Sequence, residues 1–403
     1  MEGNGNDFGI KLGAYYLDNT QKPFALFVTA VYPNSPADKA GMIRSYRIDS
    51  INARAIGENF STDRDFINNA MDGVVIRLVG NKYVNGTKGD RFTIDLLKKS
   101  YSSSPVYANK VLTASNKKIG YLAYARFSRM ANSKPDLDLA FADFNSKGVT
   151  DLIIDLRYNG GGYINTAQYL INLIAPASVN GSVMFAEHYN PLMQSGGAKI
   201  LENQPLLDAN GKVQFQNGRM ITYKDVDFSL AGNTERFIKQ GPFNTTNTIN
   251  NVVFIVSSGT ASASELLINS LKPYMNVKIV GAKTYGKPVG FFPIRIENKY
   301  EVFYSLFTTK NSLGEGDYFD GIIPDLLDTY DDPLYNFGDE KENYLAKAVN
   351  LIAPNTITTG VIANKTMSIS GKSVPVKNLG KMFPVVSGNE FVGMIENKHT
   401  LKK

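Results

Sequence analysis

The chain has 403 residues, 43% hydrophobic and 20% charged, the composition of a globular protein with material for two or three domains. Its net charge of +6 comes from basic residues scattered along the sequence, with no basic stripe interleaved with aromatics, so a nucleic-acid partner is not expected. The absence of cysteine excludes thiol nucleophiles, disulfides and thiolate metal sites, and His188 and His399, the two histidines, have no partner at metal-ligand spacing.

HExxH and GxSxG are absent, so both histidines read as surface or structural residues. No apolar run approaches the ~18 residues of a membrane span. The opening Met1 to Asn6 is polar and lacks the apolar stretch of an export signal. The chain therefore reads either as cytosolic or as a mature segment separated from its signal.

Residues 8 to 100 read as a small α+β unit. Phe24 to Val31 is an expected strand, ended by Tyr32-Pro33-Asn34-Ser35-Pro36. Ala37 to Ala40 makes a turn of helix stopped by Gly41, and Ile48 to Ile56 a second strand. Thr62 and Asp65 have capping-box spacing before a helix with Phe66, Ile67, Ala70 and Met71 on one side. Val74 to Val79 and Arg91 to Leu97 are strands joined across a loop containing Asn85-Gly86 and Lys88-Gly89-Asp90. The string Ser35 to Gly41 followed by Ile48 to Ile56 resembles a PDZ domain, although Ser45-Tyr46 stands where such domains carry Gly-Asp. The resemblance implies a domain that adds an extended peptide to a sheet edge and holds its carboxylate with backbone N–H groups. The alternative is an α+β packing domain that binds nothing.

Ser100 to Pro105 is a linker by composition. The core is expected over 105–352. Ile119 to Leu122 and Asp151 to Leu156 are strands, and Leu137, Ala140, Phe141 and Phe144 form one face of a helix closed by Gly148. Asn159 to Gly162 turns into a helix from Ile164 to Ala175. That glycine run lacks the GxGxxG and GK[ST] spacing of nucleotide loops, and Gly371-Lys372-Ser373 lacks the upstream glycine of a P-loop. Residues 181–250, polar and rich in Gly and Asn, read as a cap or side lobe over a cleft, or as an embellishment without a role. Glu340 to Ile352 is a helix. Residues 353–403 form a strand-rich segment of unknown role, with pieces at Val374 to Val376 and Phe391 to Ile395.

The chemistry concentrates between Asn251 and Phe292. Val252 to Val256 is a buried strand, Ser262 to Leu271 a helix with Ala263, Leu266, Leu267 and Leu271 on one face, and Val277 to Val280 a returning strand. In a right-handed βαβ unit, Ser262 and Lys287 both come to the C-terminal edge of the sheet, where open α/β sheets place their sites. A serine becomes a nucleophile when a neighbouring base takes its proton. Lysine is such a base only when desolvation lowers its pKa, and Pro288 to Phe292 supply apolar surroundings. The helix start offers the Ala263 N–H to a developing oxyanion. Taken singly, Ser262 also reads as a helix cap and Lys287 as a surface lysine.

Ser262-Ala263-Ser264-Glu265 with Tyr285-Gly286-Lys287-Pro288-Val289-Gly290 resembles the carboxyl-terminal processing (tail-specific) serine peptidases. Asp155 to Gly162 resembles that family's DLRxNxGG segment and Gly321 to Asp325 its GIxPD signature, in the same order along residues 8–350. The resemblance implies an α/β catalytic core of crotonase-like or ClpP-like βαβ layers beside the PDZ-like domain. It implies a Ser262/Lys287 dyad, an oxyanion hole completed by Gly161 N–H (Gly162 as second choice), and no metal or cofactor. The implied substrates are unfolded polypeptides or those with exposed C-termini, and the implied location is the cell envelope, periplasmic or lipid-anchored after export. Lys283 is the competing base. Phe291 stands where many relatives carry a polar residue that orients the lysine. It favours a rival reading, a peptide- or lipid-binding protein on the same fold with the dyad unused. A second rival is an acyl-CoA enzyme on the crotonase architecture.

Overall fold

Leu26 and Val28 point to one side of their strand, Ala25 and Phe27 to the other, and both sides are covered, which is why Phe24 to Val31 is apolar except at Thr29. The computed structural model describes residues 3–208, 211–239, 249–297, 299–357, 366–369, 372–375, 382–385, 393–396 and 398–402. In its first third, β1 (Ile10–Tyr16), β2 (Phe24–Val31), β3 (Arg47–Ile51), β4 (Val75–Val84) and β5 (Thr87–Leu97) lie in that order in one sheet, each pair antiparallel. One face packs on α1 (Phe60–Asp72) through Leu12, Leu26, Ile48, Ile67 and Leu78. The other face, Tyr15, Phe27 and Tyr83, is covered by Leu334 and Tyr335 from far along the chain.

Three local expectations change here. Asn59, whose side chain accepts the Ser61 N–H, caps α1, so the helix starts before the Thr62/Asp65 pair. Asn85 and Gly86 take φ of 48° and 72° as a two-residue hairpin turn, so β4 and β5 run up to it instead of leaving a long loop. The expected linker begins inside a strand, Lys99–Ser102, paired with Asn4–Asp7 through the backbone and through the Tyr101 hydroxyl, which donates to Asp7 Oδ1 at 2.7 Å, so polar contacts leave no apolar pattern to read.

The chain then runs through β6 (Val106–Ala114), β7 (Lys117–Tyr124), α2 (Met130–Ser146), β8 (Asp151–Asp155), β9 (Gly161–Tyr163) and α3 (Ile164–Ile174). β10 (Val183–Tyr189) and β11 (Thr234–Arg236) follow, then β12 (Asn251–Val256), α4 (Ala263–Leu271) and β13 (Asn276–Gly281). The core closes with β14 (Val289–Phe291), β15 (Phe307–Asn311), β16 (Leu326–Leu327) and α5 (Asn343–Ile352). One sheet has the order β16-β13-β12-β8-β7-β6, parallel except at β6. Along β12, Val252, Phe254 and Val256 join the cluster that holds α2, α3 and α4, while Val253 and Ile255 face Leu345, Ala348 and Val349 of α5. Both faces are buried, as the unbroken apolar run requires.

A second sheet takes β9 from the chain just after β8 and β14 from the chain just after β13. Its order is β9, β18 (Gly393–Ile395), β14, β15, β10, β11. The segment of unknown role therefore contributes to two separate sheets, because β17 (Met382–Val385) pairs antiparallel with β1 of the first sheet. The strand expected at Val374 to Val376 is Lys372–Pro375, paired with Thr366–Ile369, and Val376, Phe391 and Val392 lie outside the described residues. No helix among the described residues is long and apolar enough to cross a membrane.

Candidate active site

Ser262 sits at the junction between the β12 loop and α4 with φ 61° and ψ −109°, a strained conformation for a residue with a Cβ. The strain is held on both sides: Ala261 N–H donates to Asn159 O at 3.1 Å, and Leu266 N–H donates to Ser262 O at 2.8 Å. Ser262 is 0% exposed and its Oγ has no hydrogen-bond partner among the described residues. The helix end is closed by a capping-box arrangement with Glu265, whose Oε2 accepts the Ser262 N–H at 2.8 Å.

Glu265 does more. It is 0% exposed, and its carboxylate also accepts the Lys287 N–H and the Gly286 N–H, each at 2.8 Å, and the Thr284 hydroxyl. One buried acid thus fixes both the serine turn and the lysine loop. Sequence reasoning gave it no role, although the Ser262-x-x-Glu265 spacing is that of a capping box. The lysine loop is further clamped by the Gly321 to Asp325 segment. A Cβ on Gly286 (φ +90°) would stand 2.3 Å from Phe319 O, and one on Gly321 (φ +92°) 2.2 Å from Thr284 O. Asp325 ties the segment to β13 by accepting Ile279 N–H and Lys278 Nζ, both at 2.9 Å.

Lys287 is half-buried with Nζ 5.1 Å from the Phe291 ring centroid, and burial lowers its pKa. Lys283 is exposed. The Phe291 ring faces the amine in a cation–π contact, which favours the protonated form while burial favours the neutral one. With Ser262 Oγ unpartnered, the proton-transfer bond between Ser262 and Lys287 is not made in this structure.

The glycine turn comes against the serine. A Cβ on Gly161 (φ +108°) would lie 3.0 Å from Ser262 Cβ, and one on Gly162 (φ +141°) 2.0 Å from Phe127 O. Only glycine allows β9 to pass this close. The Gly161 N–H, expected to face an oxyanion, donates instead to Asn159 Oδ1 at 3.0 Å. Asn159 is itself buried, gives its Nδ2 to Tyr124 O at 2.9 Å, and accepts Ser264 Oγ on its carbonyl at 3.1 Å. The structure thus brings Ser262, Ala263 and Gly161 together, and joins Lys287 to them through Glu265.

Behind the turn lies a buried ion network. Arg157 donates to Asp155 at 2.9 Å, to Asp331 at 2.9 Å and to Glu342 through both terminal nitrogens. Arg44, from the first sheet's unit, engages all five of its N–H groups: with Tyr335 O, Thr29 O, Tyr158 Oη, Asp331 Oδ1 and Asp332 O. Tyr158, at φ +70°, donates its hydroxyl to the same Asp331. Burial raises the Asp331 pKa, but Arg44 and then Arg157 outweigh it and hold the carboxyl below its ordinary value. His188 is partly buried, with its pKa lowered by burial. His399 packs edge-on against Tyr223 and Phe292, where burial lowers its pKa to about 4.

A serine at a strained strand–helix turn, a glycine strand against it and a lysine loop fixed to the same carboxylate agree with the comparison with known families. The sequence model of peptidase family S41 matches residues 118–327, more than half of the chain. The chain belongs to peptidase family S41. A protein of Staphylococcus epidermidis named "Probable CtpA-like serine protease" is 23% identical over 72% of this chain and 46% of its own length. The chloroplastic C-terminal processing peptidase of Tetradesmus obliquus is 24% identical over 70% of this chain and 52% of its own. The chain spans about half the length of these curated relatives. Among solved structures, a Bacteroides fragilis NCTC 9343 protein assigned to the S41 proteases shares the fold, with a TM-score of 0.63 and 23% identity over 86% of this chain and 82% of that one.

Proposed function

We propose that this S41 chain is a serine endopeptidase whose nucleophile is Ser262 and whose general base is Lys287. The observation that carries the reading is the buried, strained Ser262 with an unpartnered Oγ, bound through Glu265 to the loop of a desolvated lysine. Neutral Lys287 takes the hydroxyl proton as Oγ attacks the peptide carbonyl, and the Ala263 N–H at the start of α4 stabilises the oxyanion. The second N–H comes from the glycine turn, from Gly161 once Asn159 releases it or from Gly162. Lys287 returns the proton to the leaving amine, and water attacks the acyl-enzyme to complete the cycle. Since Ser262 Oγ and Lys287 are not bonded here, the geometry supports a resting state that closes when substrate enters.

In this reading residues 8–100 act as a PDZ-like domain that presents polypeptides with exposed C-termini, the core lies within 105–352, and the chain works in the cell envelope, periplasmic or lipid-anchored. The test is cleavage of unfolded β-casein by the parent chain, Ser262→Ala and Lys287→Ala. Loss of cleavage in both variants, with unchanged circular dichroism, is expected. Full activity in either would remove the dyad. The second reading, a peptide-binding relative that does not cleave, is favoured by Phe291 and by the unmade Ser262–Lys287 bond. Tight binding of C-terminal peptides with no cleavage of any unfolded chain selects it.

A further inference from the structure

The cover over Ser262 comes in part from a strand contributed late in the chain. β18 lies between β9, which carries the glycine turn, and β14, which begins two residues after Lys287, and it runs parallel to both. Gly393 N–H donates to Gly160 O and Glu396 N–H to Phe291 O, each at 3.0 Å. A Cβ on Gly161 would stand 2.6 Å from Gly393 O and 3.0 Å from Ser262 Cβ, so the Gly393 peptide and the serine flank the same point. Met394 is 0% exposed and fills a place in the main core. Upstream, β17 adds to the free edge of β1 and packs against α1. One stretch of chain therefore supplies a strand to each of the two places an extended peptide has to visit.

A polypeptide presented to Ser262 needs the same fittings. It requires backbone partners on β9 and β14, whose facing edges carry N–H and C=O groups that have to be paired, and a carbonyl beside the glycine turn. The segment also holds Glu396 against Glu187. Burial, and after it the charge of Glu396 and a hydrogen bond with it, raises the Glu187 pKa, so docking holds two carboxyls together out of water with the protonated form of Glu187 favoured. That arrangement opposes docking and suits an occupant that has to leave.

We propose that the slot between β9 and β14 receives an extended polypeptide segment with a large apolar side chain at the Met394 position, and that residues 393–396 occupy it as an intramolecular competitor tethered by β17. This rests on the peptidase reading of Ser262. The test uses the full chain, Met394→Asp to unseat β18, and Gly393→Pro, which removes the donor to Gly160 without adding charge, should the first variant misfold. β-Casein is the substrate and a synthetic peptide of residues 382–396 the competitor. The expected result is casein cleavage raised at least fivefold in the variant and brought back down competitively by the peptide. Equal rates in parent and variant, or a peptide without effect on the variant, overturn the proposal. Where no form cleaves casein, the peptidase reading fails by itself, and anisotropy of the fluorescein-labelled peptide decides the slot. Binding to the variant but not to the parent supports it, and binding to neither overturns it.

Discussion

Replacing Glu265 with glutamine preserves shape and removes one charge from the carboxylate that joins Ser262 to Lys287. The amide oxygen keeps the Ser262 and Lys287 N–H groups, and the Thr284 hydroxyl turns to accept from the new NH₂. The Gly286 N–H, now at 2.8 Å from an NH₂, has no acceptor. A stranded buried donor costs ~1–3 kcal/mol, and each retained bond weakens by about 1 kcal/mol on losing its charge. Removing the burial penalty of the carboxylate offsets part of this, leaving about 2–4 kcal/mol, a large share of the ~5–15 kcal/mol that holds a typical protein folded. The chain has no tryptophan, so urea unfolding is followed by far-UV circular dichroism. Casein cleavage is expected to fall at least tenfold, since ~1 Å of misplacement costs on the order of 100-fold. A midpoint shift equivalent to less than about 0.5 kcal/mol, with an unchanged rate, would show that the carboxylate is not what holds the two loops.

Burial lowers the Lys287 pKa, so the cleavage rate should climb with pH as the amine loses its proton and level off below the ordinary lysine value of 10.5; a pH–rate profile without that limb contradicts the assignment. Gly286→Ala places a Cβ 2.3 Å from Phe319 O at φ +90° and should cost about 1–3 kcal/mol together with most of the activity, read by the same urea and casein assays. Arg44→Met leaves Asp331 buried with fewer cationic partners and should cost ~3–5 kcal/mol. The folded Asp331 pKa lies below its ordinary value, so its contribution is present above about pH 4 and is lost as pH falls through the folded pKa. In the variant that loss should move to higher pH, measured as stability against pH, and an unmoved acid limb would count against the assignment.

The strands β2, β8, β12 and β13 and the helices α3, α4 and α5 were legible because burial of both faces writes an apolar run, and burial of one face a period, into the sequence itself. The placement of Ser262 at a strand–helix turn and of Lys287 beyond the returning strand followed from connection rules that act over a few tens of residues. The partners that complete the site did not follow. Whether Asn159 or an oxyanion takes the Gly161 N–H depends on one side-chain rotation. The joining of the two loops by Glu265, and the meeting of Arg44 with Asp331 across 287 positions, depend on how separate elements pack. β18, three residues long, carries no period, and its place beside the serine follows from the unpaired edges of β9 and β14. Local pattern records which side of a segment leaves water. It does not record what meets that side, because hydrogen bonds and ion pairs between distant segments form only once the whole chain has closed.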